Sequence, residues 1–498
     1  MNNYFRVKKL DTILEEERNS KDKLKRVLGA FDIVMLGIGA IIGAGIFATI
    51  GTAAAGDLAR PGAGPSLIVS FIITGIACGF AALCYAEFAS MVPISGSAYT
   101  YSYATLGELV AWIIGWDLII EYAVGNVAVA ISWANYFKTF VSGFGILIPN
   151  WISTDFRTAG KIPGLIDSAP HLFGIPIVFN ILSFGIIAAI TVILVIGIKE
   201  SARANTIMVL IKLTVLSLFI IVGFHYVKPA NWTPFAPNGW SGIQAGAAIV
   251  FFAYIGFDAV STVAEEVKNP KRDLPIGIIG SLIICTIFYI IVAAVFTGII
   301  PYKALVKTLS TSQAEPLTLA IQYANIKTWG NFFVGIIAFG SVVAHTAVLL
   351  VFQMGQPRIF FSMSRDGLLP QSFSKVHPKY RTPYITTILT GAIVGITSMF
   401  TSIDEMVDLT NIGTLFAFIL VCIGILILRK KDPFRERSFK TPFVPLIPIL
   451  GIVSCFYLML GLPWITWIRF GGWLMVGLLI YILYGRNRSR LNPTNRIQ

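Results

Sequence analysis

The stretch that decides the fold lies near the start of the chain and reads Leu36-Gly37-Ile38-Gly39-Ala40-Ile41-Ile42-Gly43-Ala44-Gly45-Ile46-Phe47. It belongs to an apolar run, 31–50, of the length that crosses the ~30 Å hydrocarbon core of a bilayer as a helix. Each glycine inside a helix costs roughly 1 kcal/mol, so glycines this dense disfavour an ordinary span. The pattern therefore predicts a membrane helix that is interrupted near its middle.

A second interrupted span is predicted at 240–264, which contains Phe251-Phe252-Ala253-Tyr254-Ile255-Gly256-Phe257-Asp258. A glycine and a carboxylate are poor choices for a helix that faces lipid. This is the sixth apolar run, five after the first, and glycine-interrupted spans at corresponding places in two halves indicate the binding site of an inverted-repeat transporter. The alternative is that the glycines only allow close helix packing, as in small-xxx-small contacts.

Two interrupted helices would expose backbone groups in mid-membrane, which is tolerated only where those groups line a cavity or bind a ligand. The N–H groups after the first break suit an anion such as a carboxylate, because a helix N-terminus offers unpaired donors and a positive dipole end. The carbonyl groups at the second break suit an ammonium. A ligand that carries both charges on one carbon is an α-amino acid.

The whole composition agrees with an integral membrane protein. The 498 residues are 56% hydrophobic and 13% charged, with a mean hydropathy of +0.77, whereas soluble domains carry roughly 25% charged residues. Apolar windows predict about twelve helices. Their expected bounds are 31–55, 66–92, 109–140, 175–197, 205–227, 240–264, 276–299, 329–361, 383–401, 409–428, 444–462 and 472–484. The outer segment 150–175 is predicted to be a loop in water, and 302–328 to include a short surface helix.

The net charge of +13 would suit a nucleic-acid-binding protein, but its distribution argues against that class. Most of the 38 Lys and Arg residues fall in segments that would face one side of the membrane. The positive-inside rule then places both termini in the cytoplasm of a cell membrane and requires an even number of spans. The five cysteines lie inside apolar runs without metal-ligand spacing, so we expect buried packing residues and no metal site. The first run lacks a cleavage signature and is expected to be retained, so it is not a signal peptide.

Other motifs occur in order along the chain: KRVLGAFD at 25–32, YAEFA at 85–89, PISGSAY at 93–99, EEVKNP at 265–270, SRDGLLP at 364–370 and TNIGTL at 410–415. With them the chain resembles the amino acid-polyamine-organocation superfamily, specifically bacterial members of its cationic amino acid transporter family. The resemblance runs essentially from end to end. It implies an all-α protein with two inverted five-helix repeats, 31–228 and 240–430, an N-terminal arm 1–30, two peripheral helices within 443–485 and a tail 486–498.

The resemblance also implies a substrate site at the two breaks. The substrate carboxylate is expected at the backbone amides of Gly43, Ala44 and Gly45, and its ammonium at the carbonyls of Ile41, Phe252, Ala253 and Ile255. Many bacterial relatives look to have Thr where this chain has Ala44. A main-chain contact survives that change, but a hydroxyl contact does not.

Lys212 lies about seven residues into the fifth helix, roughly 10 Å from its start at 1.5 Å per residue. One interpretation is that the long side chain of Lys212 extends along the helix and places its ammonium at the membrane–water interface. By resemblance, the lysine instead stands where sodium-coupled relatives of the fold bind an ion and is the proton-coupling site. A desolvated lysine can release its proton near neutral pH, which a coupling group needs. Thr346 is expected to offer it a hydroxyl, and first-helix carbonyls are expected to accept from it.

Glu121 lies near the middle of the third helix, where an unpaired charge costs at least a few kcal/mol. Relatives also carry a glutamate here, so we expect a structural or proton-relay role. Asp117, one turn earlier, is expected to cap or pair. Glu87 and Asp258 are expected to be structural or gating charges on the inner side.

Three further positions lie in the eighth helix. By resemblance, Phe352 and Gln353 belong to a stretch that sets the size of the pocket. His345 either titrates near physiological pH or is a neutral histidine bonded to a carbonyl, and the sequence leaves both open.

The sequence thus predicts a secondary transporter that imports L-amino acids with protons and needs no cofactor. Neutral, particularly branched-chain, substrates are favoured over arginine and lysine, because no acidic side chain is clearly placed beside the breaks to pair a second positive charge. The alternatives are a cationic amino acid transporter, an exchanger, an amino acid receptor or a channel. An enzyme is disfavoured because the chain shows four scattered histidines and no convergent carboxylate pair.

Overall fold

The computed structural model describes residues 6–8, 26–92, 97–197, 202–309, 315–327 and 329–492. Most of the predicted arm, residues 93–96 of the PISGSAY motif and the end of the tail lie outside this part of the chain. The described residues form twelve apolar helices, α1 to α12: nine long enough to span a membrane, counting one bent pair, and three of 10–17 residues. They are α1 (Ala30–Ile41 with Gly45–Ala55), α2 (Gly64–Met91), α3 (Glu108–Ser142), α4 (Ile181–Ile196), α5 (Arg203–Phe224), α6 (Gly239–Ser261), α7 (Pro270–Ile299), α8 (Gly330–Arg365), α9 (Tyr384–Phe400), α10 (Ile403–Lys431), α11 (Leu446–Met459) and α12 (Trp464–Arg488). The prediction of about twelve helices is confirmed.

Several helices begin at a different residue from the one predicted. α7 begins at Pro270, with a proline at its first position, and α10 at Ile403, with two acidic residues in its first turn. α12 begins at Trp464, eight residues before the predicted start, and includes a charged Arg469. The predicted bounds followed the apolar residues alone. They therefore left out first helical turns that contain polar or charged residues. α4 begins later than predicted because a hairpin of β1 (His171–Leu172) and β2 (Ile175–Pro176) precedes it.

The outer segments contain more helix than expected. Within 150–175 the chain forms a 3-10 turn and two short helices, Phe156–Ala159 and Leu165–Ser168, so describing this segment as a simple loop was wrong. Small apolar side chains such as Ala159 and Leu165 give it a separate core. The second outer segment contains two short helices, Tyr302–Leu309 and Pro316–Tyr323.

Both predicted interruptions are confirmed. The first half of α1 ends at Ile41, Ile42 is extended at φ −76° and ψ 105°, and the helix resumes with a π turn at Gly45–Thr49, bent by 41°. The α-helical part of α6 ends at Val250 and passes through a 3-10 turn. Gly256 then adopts φ +117°, a conformation that glycine reaches without strain.

The interruptions lie at the centre of the helix bundle. Every residue from 37 to 47 is buried. α7 packs against the first half of α1, where Gly277 faces Ile33, and α5 packs against α8, where Gly340 faces Val215. All five cysteines are free and buried, as the sequence predicted.

Candidate functional site

The two breaks touch each other through their backbones. A Cβ atom built on Gly45 would lie 2.1 Å from Cα of Ala253, and one on Gly256 would lie 2.8 Å from the carbonyl oxygen of Ala40. Real Cβ contacts are never this short, so these positions exclude any side chain. The glycines here allow the backbones of two broken helices to approach each other closely. This differs from the packing of two regular helices through small residues.

The breaks present donors on one side and acceptors on the other. Neither the Gly43 nor the Ala44 amide donates a backbone hydrogen bond to any residue that the structure describes. On the acceptor side, the Tyr289 hydroxyl lies 2.8 Å from the Ala253 carbonyl and 3.2 Å from the Ile41 carbonyl. Sequence reasoning missed Tyr289, although a hydroxyl in the middle of an apolar span was a visible signal.

Lys212 is fully buried and reaches the first break from α5. Its Nζ donates to the Gly39 carbonyl at 2.6 Å and to the Ile42 carbonyl at 2.9 Å. These are carbonyls that the interruption of α1 leaves without a regular helical partner. The snorkelling interpretation does not apply, because the ammonium points into the bundle.

Thr346 is not placed beside Lys212. Its hydroxyl donates to the Val342 carbonyl at 2.8 Å and accepts from the Trp133 indole at 3.0 Å. The predicted hydroxyl contact with Lys212 is therefore wrong in this conformation: on α8, Thr346 faces α3.

His345, the neighbour of Thr346, is fully buried. Nδ1 lies 2.6 Å from the Ser341 carbonyl, and Nε2 lies 2.7 Å from the Ser132 hydroxyl. Since a carbonyl can only accept, Nδ1 carries the proton, and Nε2 is free to accept from Ser132. This arrangement favours the neutral, carbonyl-bonded histidine over the titrating one.

Two carboxyl groups meet directly after the second break. Glu121 lies in a π turn of α3, Ile120–Val124, and its carboxyl contacts that of Asp258. Tyr122 donates to Asp258 at 3.3 Å. Neither Glu121 nor Asp258 forms an ion pair among the described residues, and two adjacent buried anions repel each other. The sequence analysis had found no convergent carboxylate pair, and on this point it was wrong.

Asp117 lies one turn before Glu121 on α3 and is also buried. Neither of its carboxyl oxygens has a hydrogen-bond partner among the described residues, so the expected capping or pairing is wrong.

The two predicted pocket residues of α8 have different surroundings. Phe352 packs edge-on against Tyr122 with ring centroids 5.6 Å apart. Gln353 is buried and accepts from Asn126 at 2.6 Å while donating to Thr191 at 3.3 Å, which ties α8 to α3 and α4. Gln353 therefore has the contacts of a structural cross-link.

Val348, one turn before Phe352, lies closer to the first break. Its side chain would be 2.7 Å from a Cβ built on Gly43. Sequence reasoning missed it, because an apolar residue in an apolar helix carries no signal of its own.

Comparison with models of known protein families identifies the family of this chain. A family model described as amino acid permease matches residues 28–483, which include both breaks, Lys212 and the carboxyl cluster. The chain belongs to the amino acid permease family.

Three relatives place the permease among transporters. It is 49% identical to a branched-chain amino acid permease, BcaP, of Bacillus subtilis, over 98% of this chain and 99% of that one. It is 45% identical to a methylthioribose transporter of the same organism, over 99% and 100% of the two chains. A vacuolar cationic amino acid transporter of Arabidopsis thaliana is 30% identical over 99% and 97%. The permease is thus a multi-pass membrane transporter of amino acids and not an enzyme.

Glu87 in this permease is a structural charge. It accepts from Arg429 at 2.8 and 2.9 Å, lies 3.1 Å from Arg437, and accepts from the Thr441 amide at 2.8 Å. These contacts anchor the segment between α10 and α11 to α2.

Proposed function

We propose that this permease imports L-amino acids by proton symport, with neutral and branched-chain side chains preferred. Its two inverted repeats would be 31–228 and 240–430, and both termini would be cytoplasmic. The observation that carries the proposal is the contact of the two broken helices, with free amides on one side of it and carbonyls on the other.

Substrate recognition follows from that contact. The amides of Gly43 and Ala44, with that of Gly45, bind the α-carboxylate at the positive end of the resumed helix. The carbonyls of Ile41, Phe252, Ala253 and Ile255 accept from the α-ammonium. Tyr289 orients two of these carbonyls, Ile41 and Ala253.

The preference for an apolar side chain rests on the residues nearest the breaks. Val348 presents apolar surface at Gly43, and Phe352 lies one turn further along α8 against Tyr122. The carboxyl groups of Glu121 and Asp258 contact each other. A lysine or arginine substrate would have to separate this pair to find a partner for its second charge. The close similarity to a branched-chain amino acid permease supports the same preference.

Coupling rests on Lys212. As an ammonium it makes two charge-assisted hydrogen bonds to the first break, and such bonds are roughly twice as strong as neutral ones. Loss of the proton weakens the link between α5 and α1, so the position of α1 depends on protonation. Glu121, whose carboxyl contacts that of Asp258, is a second group that can take up a proton.

The test is uptake of labelled leucine, alanine, arginine and methylthioribose into proteoliposomes with an imposed inward proton gradient. We expect leucine to accumulate, to be displaced by isoleucine and valine, and to leak out when a protonophore is added. Lys212→Ala should lose accumulation while retaining leucine counterflow, whereas Lys228→Ala, which removes an exposed lysine just beyond the same helix, should behave as wild type.

Two results would overturn parts of the proposal. Accumulation of arginine alone, or of leucine without any gradient, would contradict the substrate preference or the coupling. Methylthioribose is the second candidate because a methylthioribose transporter is 45% identical to this chain. It carries neither a carboxylate nor an ammonium, so uptake of methylthioribose without leucine would show that the breaks do not bind a zwitterion.

A further inference from the structure

A groove of about 590 Å³ opens on the surface of the bundle. It runs between the first turns of α7 and the segment that joins α10 to α11. Lys271, Arg272 and Ser438 line its polar part, and Ile276, Ile279 and Phe439 its apolar part. None of these residues takes part in the proposed transport site.

Both walls of the groove are held in place. The wall formed by α7 packs against α1 through Gly277, where an added Cβ would lie 2.0 Å from the Ile33 side chain. The opposite wall follows Arg437, which is paired with Glu87, and precedes Thr441, which donates to the same carboxylate. The groove is therefore a preformed feature of the fold.

The positive charges in the polar part of the groove favour an anionic ligand. Lys271 and Arg272 stand in the first turn of a 30-residue helix, where the helix dipole already has its positive end. Both side chains are exposed, and neither forms an ion pair among the described residues. Arg437, next to Ser438, shares the single carboxylate of Glu87 with Arg429, so Glu87 does not offset the charges of Lys271 and Arg272 and the groove keeps a net positive charge.

The apolar part continues as a stripe along α7. Ile276, Ile283 and Ile287 are 41%, 54% and 53% exposed, and their spacing of seven and four residues places them on one face of the helix. In a spanning helix this face meets the hydrocarbon chains of lipid. An occupant of the groove that extends along the stripe needs an anionic head and an apolar chain.

We propose that this groove binds an acidic glycerophospholipid, with its phosphate at Lys271 and Arg272 and one acyl chain along Ile276 and Ile283. The positive-inside distribution puts the site in the cytoplasmic leaflet. The lipid bridges α7 to the segment between α10 and α11, so its binding stabilises the contact of these elements. This inference does not depend on which substrate the permease carries.

The test compares the purified full-length permease with phosphatidylglycerol, phosphatidylcholine and inorganic phosphate, by native mass spectrometry and thermal unfolding in detergent. We expect one tightly held phosphatidylglycerol that raises the unfolding temperature, and no such effect of phosphatidylcholine or phosphate. Lys271→Ala with Arg272→Ala should weaken this binding about tenfold or more, because each cation near an anionic headgroup contributes roughly 1 kcal/mol.

Two further variants keep the test decisive. Ile279→Trp fills the apolar part with both cations intact and should also displace the lipid. Lys375→Ala with Lys379→Ala removes two exposed cations from another basic segment and should leave binding unchanged. Equal binding of phosphatidylcholine, an equal loss in this control pair, or competition by inorganic phosphate at the same concentration as the lipid would overturn the proposal.

Discussion

The two broken helices of the permease are held by different chemistry. The break in α1 is held by a buried cation, because Lys212 donates to the carbonyls of Gly39 and Ile42. The break in α6 is held by neutral and local features: a 3-10 turn, the positive φ of Gly256 and the hydroxyl of Tyr289 on the Ala253 carbonyl.

This difference bears on which break can respond to a proton. The hold on α1 depends on the charge of one amine, so it changes when the amine loses its proton. None of these three features of α6 carries a charge, and Asp258, which contacts Glu121, lies two residues after Gly256. The proposed symport thus assigns the first break to coupling and the second to the geometry of the site.

The largest effect is expected where the two breaks touch. Gly45→Ala places a Cβ 2.1 Å from Cα of Ala253, and the backbone on both sides has no room to yield. Overpacking typically costs 1–3 kcal/mol, and this contact with backbone should cost about 3 kcal/mol or more. We expect uptake to be lost and the unfolding temperature to fall.

Gly79→Ala is the matched control, since a Cβ at Gly79 in α2 would meet nothing within 4 Å. Alanine in place of a helical glycine should leave uptake intact and raise stability by roughly 1 kcal/mol. Normal uptake by Gly45→Ala would show that the two breaks are separated in the working protein.

The next effect concerns the two carboxyl groups that follow the second break. Glu121→Gln keeps a hydrogen-bonding group beside Asp258, so the free energy of unfolding should stay within about 1 kcal/mol of wild type. Glu121→Ala leaves Asp258 buried with fewer partners and should cost about 1–3 kcal/mol. Thermal unfolding measures the stability change of each variant. Comparing leucine counterflow with gradient-driven uptake shows whether a variant loses binding or only proton coupling. Equal stability of the two variants would contradict a stabilising contact between Glu121 and Asp258.

The comparison of the breaks also shows what the sequence could predict. The glycines within apolar runs located both interruptions. A helix that breaks in mid-membrane needs residues, such as glycine, whose backbone adopts a non-helical conformation at low cost in free energy. Lys212 was noticed as a cation within a span, and the family resemblance, not its position alone, gave it the coupling role. Tyr289, Val348 and the Glu121–Asp258 contact were missed, and Thr346 was paired wrongly, because these depend on which faces of separate helices meet. Helix rotation within a bundle leaves almost no trace in a sequence that is apolar on all sides.

A smaller effect is expected at the hydroxyl that joins the breaks. Tyr289→Phe removes the donor to the Ala253 carbonyl, and Tyr254→Phe removes a matched donor, 2.8 Å from the Phe71 carbonyl. Each change should cost about 0.5–1.5 kcal/mol of stability. Only Tyr289→Phe should raise the KM for leucine, since only Tyr289 orients carbonyls of the proposed ammonium site. A matching rise in KM for Tyr254→Phe would assign the effect to general packing.

The smallest effect is expected for Thr346→Val, which sharpens the description of the first break. The hydroxyl bonds to Val342 and Trp133, so its removal should cost about 1 kcal/mol and leave proton-driven leucine accumulation unchanged. If this variant loses the response to the proton gradient as Lys212→Ala does, then α8 must bring Thr346 to Lys212 in another state of the transport cycle. Retained coupling would leave the carbonyls of Gly39 and Ile42 as the partners through which the ammonium holds α1.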